Sequence, residues 1–563
     1  MQNALTHRGC TAETVQRGEV SIGYWKSPWA NDRYGAGIAE TEHGVVALAG
    51  FQTLGPTGQI LPLEKIASHL AKHSSPPAEL SGDYVVAFWC RDNRVFLIRD
   101  GAGSRTIYYS KWNKQLLFAS EPKGIWNIAG YPRQLEPNSL AKYLTFSFVP
   151  GEATMLQNLH ELRTGHLLIA DNSKGYSTQR YFRFEDVQRD ESNRIPNEQA
   201  VTKFRETFSK AVADRIKIAS NQSPVVFLSG GLDSSVVAAE IASQSNQKLK
   251  TYSLHFGESY PNELDFARKV AQQIGSEHEE VLIQPKDFIK DLRSMIWHLD
   301  DPIGDPITMP NYALAKRISD QTDFVFNGEG GDPCFGGPKN IPMMLLHWYG
   351  VAQPPRFREK AYLASYRRAY EELNHIFTPE FKQSLDLDCL PEILTPFFDC
   401  EHPKNLLDKL TSLNIRLKGA HLILPKVERM LAAHGLSPLS PLFSSEMVEF
   451  SFRIPSTMKL HQGIEKIIIK KSYQHRIPDE VIARPKSGMR VPVHFWFQGE
   501  LKKYARKILS PRSIKQAGIF NHRRVKQLLD YNIEEGNGRY GMRLWMLLTF
   551  ECWRRMVIEK RNW

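Results

Sequence analysis

One stretch of the chain constrains the fold more than any other: a short apolar run, a glycine turn and a helix-like segment in direct succession. The run, residues 225–228, is typical of a strand buried in a parallel sheet. The turn, residues 229–231, is Ser-Gly-Gly, and Asp233 lies in the first turn of the helical segment. The glycines allow close backbone approach, and a helix N-terminus offers free N–H groups that favour anions. The stretch therefore predicts a phosphate-binding site. The acidic Asp233 is compatible with such a site when a metal ion lies between its carboxylate and the phosphate.

An ordinary tight turn is the plainer interpretation, but it leaves two glycines, three hydroxyls and an acid together without a reason. The common phosphate loop is excluded, because no Gly-Lys-Ser/Thr follows the glycines. The pattern Ser-Gly-Gly-Leu-Asp-Ser-Ser of residues 229–235 resembles the pyrophosphate loop of ATP pyrophosphatases, which break ATP between its α and β phosphates. Within that group the chain resembles the class B asparagine synthetase family, which includes the β-lactam synthetases and the lasso-peptide macrolactam synthetases.

The totals are those of a globular protein with two or three domains: 563 residues, 42% hydrophobic and 24% charged. The chain has no apolar run long enough to span a membrane, and its start lacks the apolar core of a signal peptide. Six scattered cysteines without a Cys-x-x-Cys pair indicate reduced thiols, so we expect a cytoplasmic protein. A net charge of +11 is compatible with an acidic partner, but a generally basic solvated surface is the preferred explanation. We find no nucleic-acid-binding motif and expect neither a nucleic-acid partner nor a membrane.

Residues 1–185 are β-rich, and short polar turns separate the apolar runs. The clearest predicted strands are residues 44–49, 84–89, 95–98, 106–109 and 116–119. Several pieces, including residues 7–9, 80–88 and 118–121, resemble the N-terminal glutaminase domain of the same family. The resemblance implies an Ntn-type β-sandwich domain.

Departures from the glutaminases matter more than the matches. Family glutaminases begin with a cysteine that attacks glutamine, whereas residue 2 here is Gln2 and the nearest thiol, Cys10, is internal. The family's glutamine-holding Asn-Gly-Glu segment is not recognisable around residues 50–56. We therefore expect a glutaminase-like domain without glutaminase activity. A wrongly chosen start codon is the alternative, and the missing second motif argues against it.

Residues 186–199 are polar and are the best linker candidate before a synthetase domain over residues 200–563. Apolar residues at helical spacing predict a helix over 200–216 that packs on the sheet. Strands predicted over 250–256, 278–283 and 323–327 alternate with helical segments such as 262–274, which calls for a doubly wound parallel sheet with helical additions. Ligands then lie at the carboxyl ends of the strands.

A second glycine-rich motif, residues 327–337, carries Glu329 and Asp332. The resemblance implies that Asp233 and Asp332 share Mg²⁺ across the phosphates of ATP and that Glu329 lies beside the adenylated carboxylate. Two carboxylates from separate loops suit Mg²⁺, which keeps part of its water shell. A glycine-rich surface turn is the plainer alternative. Pro333-Cys334 departs from the Glu-Leu that asparagine synthetases usually have there.

Weaker signals surround these two motifs. The acidic loop of Asp300, Asp301 and Asp305 resembles a family segment near the acceptor pocket, although aspartates before prolines often only shape turns. Glu428 and Ser437 replace the family's usual aspartate and glutamate. Residues 338–420 include a basic helical run, which is a solvated face or a wall for an acidic or peptide substrate.

The predicted site comprises nucleotide, metal and catalytic residues. Lys486 matches the family lysine that stabilises negative charge as the adenylate forms and collapses. ATP binding is assigned to Leu228, Ser229, Gly230, Gly231, Asp233, Ser234, Ser235, Ser253 and Gly328; Mg²⁺ binding to Asp233 and Asp332; and catalysis to Glu329 and Lys486.

The resemblance implies two steps: ATP converts a carboxylate to an acyl-adenylate, and an amine then displaces AMP. Family members without a glutaminase commonly use an amine inside the substrate, which gains from proximity. We therefore expect a macrolactam synthetase of the lasso-peptide type that acts on a peptide or small carboxylate, with a precursor-peptide protease as a candidate partner. An asparagine synthetase-like enzyme that uses free ammonia, a β-lactam-type synthetase and a non-catalytic scaffold remain alternatives.

Overall fold

The computed structural model describes most of the chain. The described residues are 1–27, 34–55, 58–171, 175–219, 222–349, 354–366, 368–486, 489–531 and 540–561.

The N-terminal domain is a layered β structure, as the sequence predicts. Its strands are β1 (Thr11–Arg17), β2 (Val20–Lys26), β3 (Gly37–Thr41), β4 (Gly44–Gln52), β5 (Gly82–Cys90), β6 (Arg94–Arg99), β7 (Tyr108–Trp112), β8 (Gln115–Ala119), β9 (His160–Glu161), β10 (His166–Asp171) and β11 (Gly175–Arg180). Three helices accompany them: α1 (Leu63–His73), α2 (Lys123–Trp126) and α3 (Pro137–Phe146).

Two of the N-terminal sheets pack face to face. A six-stranded antiparallel sheet has the order β11-β10-β6-β5-β4-β3, and a three-stranded sheet has the order β8-β7-β9. Val85 and Leu97 of the larger sheet share a buried cluster with Tyr109 of the smaller one. On the opposite face, Ile66 and Leu70 of α1 pack against the larger sheet. The inner strands β5 and β6 are buried on both faces, which explains their nearly unbroken apolar runs, whereas the edge strand β11 is largely exposed.

A five-stranded parallel sheet forms the centre of the C-terminal domain. Its strands are β12 (Val225–Phe227), β13 (Lys250–His255), β14 (Glu277–Leu282), β15 (Phe324–Phe326) and β16 (Ser437–Leu439); a small hairpin, β17 (Leu460–His461) and β18 (Ile464–Glu465), lies outside it. The strand order is β14-β13-β12-β15-β16, and every pairing is parallel. The order reverses between β12 and β15, so ligands are expected beyond the carboxyl ends of these two strands.

Helices cover both faces of this sheet. Their bounds are α4 (Asn197–Ile218), α5 (Leu232–Gln244), α6 (Leu264–Ile274), α7 (Pro285–Leu299), α8 (Thr308–Ile318), α9 (Gly331–Phe335), α10 (Ile341–Tyr349), α11 (Phe357–Ser365), α12 (Leu373–Ile376), α13 (Pro379–Lys382), α14 (Cys389–Glu392), α15 (Thr395–Phe398), α16 (Leu406–Leu413), α17 (Leu424–Ala432), α18 (Ser445–Arg453), α19 (Ile467–Tyr473), α20 (Asp479–Ala483), α21 (Val493–Trp496), α22 (Glu500–Ile508), α23 (Pro511–Ala517), α24 (His522–Leu529) and α25 (Tyr540–Val557). A π-helical segment, Asn414–Ile423, joins α16 to α17.

The packing of α4 follows from its apolar spacing. Phe204 and Phe208 are fully buried against Val226 and Leu228 at the first sheet strand. On the other face of the sheet, Leu314 of α8 and Leu431 of α17 pack on the strands. The doubly wound parallel sheet predicted from the sequence is therefore confirmed, and its helices shield both faces.

The predicted linker is structured rather than extended. Short 3-10 turns span Phe184–Arg189 and Glu191–Asn193, and the next helix already begins at Asn197. Phe184 and Glu185 are buried. The Glu185 carboxylate accepts from Ser412 at 2.8 Å and pairs with Arg416 at 3.0 Å, so this stretch is packed against the C-terminal domain.

Among the described residues, no helix combines the length and apolar character needed to cross a membrane.

Asp301 provides a test of this packing. Its side chain is half-buried, its Oδ2 accepts from the Met155 amide at 2.9 Å, and the loss of solvation raises the pKa of the carboxyl to about 7. Because the folded-state pKa lies above the unfolded value of about 4, the contribution of this carboxyl to stability is complete below about pH 4. It is lost as the pH rises through about 7. Asp301→Asn keeps an oxygen acceptor but cannot ionise.

As the pH rises from about 4 to about 8, we expect the free energy of unfolding of Asp301→Asn to increase relative to that of wild type by on the order of 3–4 kcal/mol. The measurement is differential scanning calorimetry of both proteins across that range. A melting-temperature difference that stays constant with pH would contradict the assignment.

Candidate active site

The first loop of the site turns sharply at the end of the central strand β12. Gly230 has a φ of +77°, and a Cβ there would lie 2.6 Å from the Glu263 carbonyl oxygen. Gly231 occupies the N-cap of α5. Glycine is therefore required twice over at position 230, by backbone conformation and by the close approach of the segment that leads into α6.

The loop hydroxyls are organised around one another. The Ser234 Oγ accepts from the Ser229 amide at 3.1 Å, and the two hydroxyl oxygens are 3.0 Å apart. Ser235 is fully buried, and its hydroxyl donates to the Gly231 carbonyl at 2.8 Å. From the next strand, the Ser253 hydroxyl donates to the Leu228 carbonyl. Ser235, Ser253 and the buried Leu228 thus shape the loop, whereas Ser229 and Ser234 form its polar pair.

Glycines bring the second loop, which follows β15, into contact with the first. A Cβ on Gly328 would lie 2.5 Å from the Ser234 amide nitrogen, and one on Gly331 would lie 2.1 Å from the Asp233 Oδ1. Gly330 has a φ of +111°. The glycine-rich sequence at residues 327–337 therefore allows the two loops to touch at the switch point of the sheet.

Two lysines join the acids of the two loops. The Lys466 Nζ lies 2.6 Å from Asp233 Oδ2 and 2.6 Å from Asp332 Oδ1. The Lys486 Nζ lies 3.2 Å from Asp233 Oδ2 and 3.6 Å from Asp332 Oδ2. The Lys466 side chain is 1% exposed, whereas that of Lys486 is 26% exposed and faces the opening.

Lys466 was missed as a site residue by the sequence reasoning. It lies at the N-cap of α19 with a φ of +54°, a backbone region that non-glycine residues seldom adopt. Lys466 lies outside the motifs that assign the predicted site residues, so those motifs gave no signal for it. Residues 487–488, which follow Lys486, lie outside the described residues.

Charge pairing dominates the electrostatics of these acids. Burial alone would raise the pKa of Asp332, but Lys466 and Lys486 outweigh it and hold this pKa well below its usual range. Burial alone would lower the pKa of Lys486, but Asp233 and Asp332 raise it well above its usual value. The pKa shifts of Asp332 and Lys486 thus both favour the charged form of the side chain.

The residues present fit a Mg²⁺ ion bound with phosphates. Both carboxylates contact the same Lys466 nitrogen, so one cation reaches both. The Asp233 Oδ1 is buried without a hydrogen-bond partner in the described structure, which leaves an oxygen lone pair available. Hard oxygen ligands from two loops are what Mg²⁺ prefers.

Glu329 and Lys426 border the site on the side of the acidic loop. The Glu329 amide donates to the Asn327 Oδ1 at 3.0 Å, which fixes the backbone of the second loop. The Lys426 Nζ donates to the Asp305 Oδ2 at 3.3 Å. Burial lowers the pKa of Lys426, but Asp305 and Glu329 raise it above its usual value.

Only one acid of the predicted acidic loop faces this site. The Asp300 carboxylate accepts from the Lys123 amide and from the Lys123 Nζ, both at 2.8 Å, in the N-terminal domain. Asp301 bonds to the Met155 amide. The hypothesis that the loop holds a substrate amine or metal is therefore corrected for Asp300 and Asp301, whose carboxylates join the two domains.

Glu428 and Ser437, the two departures from the family pattern, contact the N-terminal domain. The Glu428 carboxylate pairs with Arg8, at 3.0 Å through Nη2, and with Arg105 at 3.1 Å. The Ser437 Oγ accepts from Arg105 at 2.8 Å. Arg8 also pairs with the buried Glu121. These side chains thus belong to a charged network between the domains.

Comparisons with known proteins agree with this architecture. Residues 203–555 match the family described as asparagine synthase, and residues 72–182 match the glutamine amidotransferase domain. Because the first match spans more than half of the chain, the protein belongs to the asparagine synthase family.

Several curated proteins are similar along most of their length. Asparagine synthetase [glutamine-hydrolyzing] 1 of Bacillus subtilis is 26% identical over 515 residues, which covers 86% of this chain and 79% of the relative. A putative glutamine-hydrolyzing asparagine synthetase of Mycobacterium tuberculosis is 25% identical over 517 residues, covering 85% and 77%. Amidase chry2 of Gibberella zeae is 22% identical over 524 residues, covering 82% and 77%.

The bridging lysine generates a stability prediction. Lys466→Met leaves the buried Asp233 and the partly exposed Asp332 with Lys486 as the remaining cation that reaches both, so we expect a loss of about 1–3 kcal/mol in the free energy of unfolding. The measurement is thermal unfolding in metal-free buffer. The matched control is Lys471→Met, an exposed lysine on the same helix, which should leave the melting temperature unchanged. Equal melting temperatures for the two variants would show that Lys466 does not neutralise the pair.

Proposed function

We propose that this protein is an ATP-dependent carbon–nitrogen ligase that activates a carboxylate as an acyl-adenylate and passes it to an amine, with release of pyrophosphate and then AMP. The observation that carries the proposal is the bridge of Asp233 and Asp332 by Lys466 and Lys486 at the switch point of the parallel sheet. Membership of the asparagine synthase family supports ATP-dependent amidation as the class of reaction.

The residues have distinct roles in this proposal. Ser229, Ser234 and the N-terminus of α5 bind the pyrophosphate part of ATP. Asp233 and Asp332 would hold Mg²⁺, which supplies neutralisation of the phosphate charge when bound. Lys486, the more exposed of the two lysines, is placed to offset negative charge that develops as the carboxylate attacks. Glu329 is proposed to orient the nucleophile or accept its proton.

The attacking amine is proposed to come from the substrate itself. Arg8 lies in the segment that is similar to the glutaminases, and its guanidinium forms ion pairs with Glu121 and Glu428. Gln52, in the region expected to hold glutamine, exchanges two hydrogen bonds with Leu61 of its own domain. Both observations support a domain that lacks glutaminase activity and stabilises the synthetase domain. An amine within the substrate closes a ring with the advantage of proximity.

A peptide is the proposed substrate class. A cleft of about 400 Å³ lies in the C-terminal domain, where residues of α10, α11 and α16 and of the segment 456–462 line it. The described residues that line it include His347, Arg358, Lys404 and Lys409, and none of them is acidic. A basic cleft of this kind suits an acidic or extended peptide. We therefore propose macrolactam closure, between a peptide N-terminus and an Asp or Glu side chain, with a precursor-peptide protease as a functional partner.

The alternative is an asparagine synthetase-like reaction with free ammonia. It is favoured by the similarity to proteins named asparagine synthetase and needs no ring closure.

Isotope labelling distinguishes the two functions. With ATP, Mg²⁺, ¹⁵N-ammonium and a peptide that carries a free N-terminus and an Asp or Glu, ring closure gives a product that has lost one water and contains no added ¹⁵N. Amidation by ammonia gives a product that carries the label. The measurement is tandem mass spectrometry. Labelled product, together with no dehydrated product, would overturn the macrolactam proposal.

Lys486→Met is expected to slow the formation of dehydrated or amidated product by about 100-fold or more, because a charge that stabilises the transition state is lost. Substrate KM should change much less than kcat. Lys471→Met serves as the matched control and should retain full activity. Equal kcat values for wild type and Lys486→Met would show that Lys486 does not stabilise the transition state.

A further inference from the structure

One edge of the six-stranded sheet in the N-terminal domain is open. Among the described residues, β11 pairs with β10 alone, and it is the last strand in the sheet order. Residues 176–180 of this strand are all exposed. An open strand edge presents unpaired N–H and C=O groups that can pair with another chain. The edge formed by β11 is therefore a candidate interaction surface.

The opposite edge of the same sheet, strand β3, is covered. The hairpin of β1 and β2 packs beside it, where Ile22 and Ile38 share an apolar cluster. Arg17 of the hairpin donates to the Glu40 carboxylate of β3 at 2.8 Å. By contrast, β11 has the sequence Gly-Tyr-Ser-Thr-Gln-Arg, which contains no proline and no charge before its last residue. The features that usually protect an open edge are therefore missing from β11.

Alternate residues of β11 direct their backbone groups to the open side. Just beyond the strand, the Tyr181 amide donates to the Gly165 carbonyl at 2.9 Å, on the side of β10. In an antiparallel ladder, the backbone groups of successive residues point alternately to the two sides. The odd-numbered residues of β11 therefore bond to β10, and the N–H and C=O groups of Tyr176, Thr178 and Arg180 point outward.

The side chains at this edge also favour an occupant. Tyr176 is 39% exposed, although its ring contacts that of Tyr109 edge to face at 5.5 Å. Phe182, two residues beyond the strand, is 40% exposed. Among the described residues, no carboxylate lies within 4.0 Å of the Arg180 guanidinium. Exposed aromatic surface beside an unpaired cation gains from contact with a partner.

The edge is complementary to a second copy of itself. When two β11 strands pair antiparallel about a two-fold axis at Thr178, this residue lies opposite the partner's Thr178, and Tyr176 lies opposite the partner's Arg180. These are the residues whose backbone groups point outward, so the register allows hydrogen bonds at each of them. Directly opposed side chains share a face, so each arginine meets a tyrosine ring and no like charges oppose each other.

We propose that two copies of this chain associate through their β11 strands, which pair antiparallel about Thr178 and join the two six-stranded sheets into one continuous sheet. The interface is isologous, because each copy supplies the same strand. One pair of strands is smaller than the interface of a permanent dimer, which buries roughly 2,000 Å² or more, so the association is reversible and depends on concentration. It involves the N-terminal domain and is independent of the proposed function.

Sedimentation equilibrium of the full-length protein tests the dimer. Wild type should associate reversibly as its concentration rises. Thr178→Lys places like charges opposite each other on the two-fold axis, so we expect the dissociation constant to rise at least about tenfold. The side chain at position 178 is exposed, so the melting temperature should not change. The matched control is Gln179→Lys, which adds the same charge opposite the partner's Ser177 and should change the dissociation constant less than about threefold.

A mixture of two variants tests the register. Thr178→Lys and Thr178→Glu should each be monomeric at concentrations at which wild type is dimeric. An equimolar mixture should dimerise with a dissociation constant within about threefold of the wild-type value, because opposite charges then face each other across the axis. A mixture that stays monomeric would contradict the pairing about Thr178.

Hydrogen–deuterium exchange locates the contact. The amides of residues 176, 178 and 180 should exchange more slowly in wild type at dimerising concentrations than at low concentration. The proposal is overturned when wild type is monomeric, which leaves the edge to an extended segment of another protein, or when Thr178→Lys dimerises as well as wild type. Dimerisation that does not protect these amides assigns the contact to another surface and also overturns it.

Discussion

Two carboxylates from separate loops are kept together by two lysines, and the rest of the C-terminal domain serves to bring these four groups to one point. Asp233 and Asp332 would repel each other across a buried gap, and Lys466 and Lys486 cancel that repulsion. The parallel sheet brings the two loops to adjacent strand ends, and glycines remove the side chains that would keep them apart. The strand order, the glycines of the two loops and the charge pairing therefore together determine where these four side chains lie.

The N-terminal domain is tied to this arrangement through charge. Arg8 and Arg105 pair with Glu428, and Lys123 pairs with Asp300, so buried ions of each domain depend on the other. A buried ion pair is strongly destabilised when one partner is removed. The domain thus contributes to the stability of the synthetase domain whether or not it performs chemistry, and the two family departures at Glu428 and Ser437 acquire a structural explanation.

Much of the fold was predictable because the spacing of apolar residues indicates which side chains are buried. The runs at residues 225–228 and 84–89 became strands covered on both faces, and the spacing of Phe204 and Phe208 predicted a packed helix. The edge strand Ser437–Leu439 escaped prediction, since three residues that include Pro438 carry no strand pattern and proline is tolerated only at sheet edges. The predicted strand at residues 106–109 begins two residues later, at Tyr108.

The site was predictable where motifs are local and unpredictable where partners are distant in sequence. The loop acids and Lys486 lie in recognisable motifs, whereas Lys466 reaches Asp233 across 233 positions of sequence. Asp300 and Asp301 resembled site residues because sequence pattern does not distinguish a ligand from a buried contact between domains.

The central claim is that the carboxylate bridge supports cleavage of ATP between its α and β phosphates. The most direct measurement is quantitative anion-exchange chromatography of the nucleotide products formed from ATP and Mg²⁺ with a panel of peptide carboxylates, for wild type and for Asp233→Asn. The account predicts AMP and pyrophosphate in equal amounts from wild type and neither from the variant. Formation of ADP and phosphate, or undiminished AMP formation by Asp233→Asn, would contradict it.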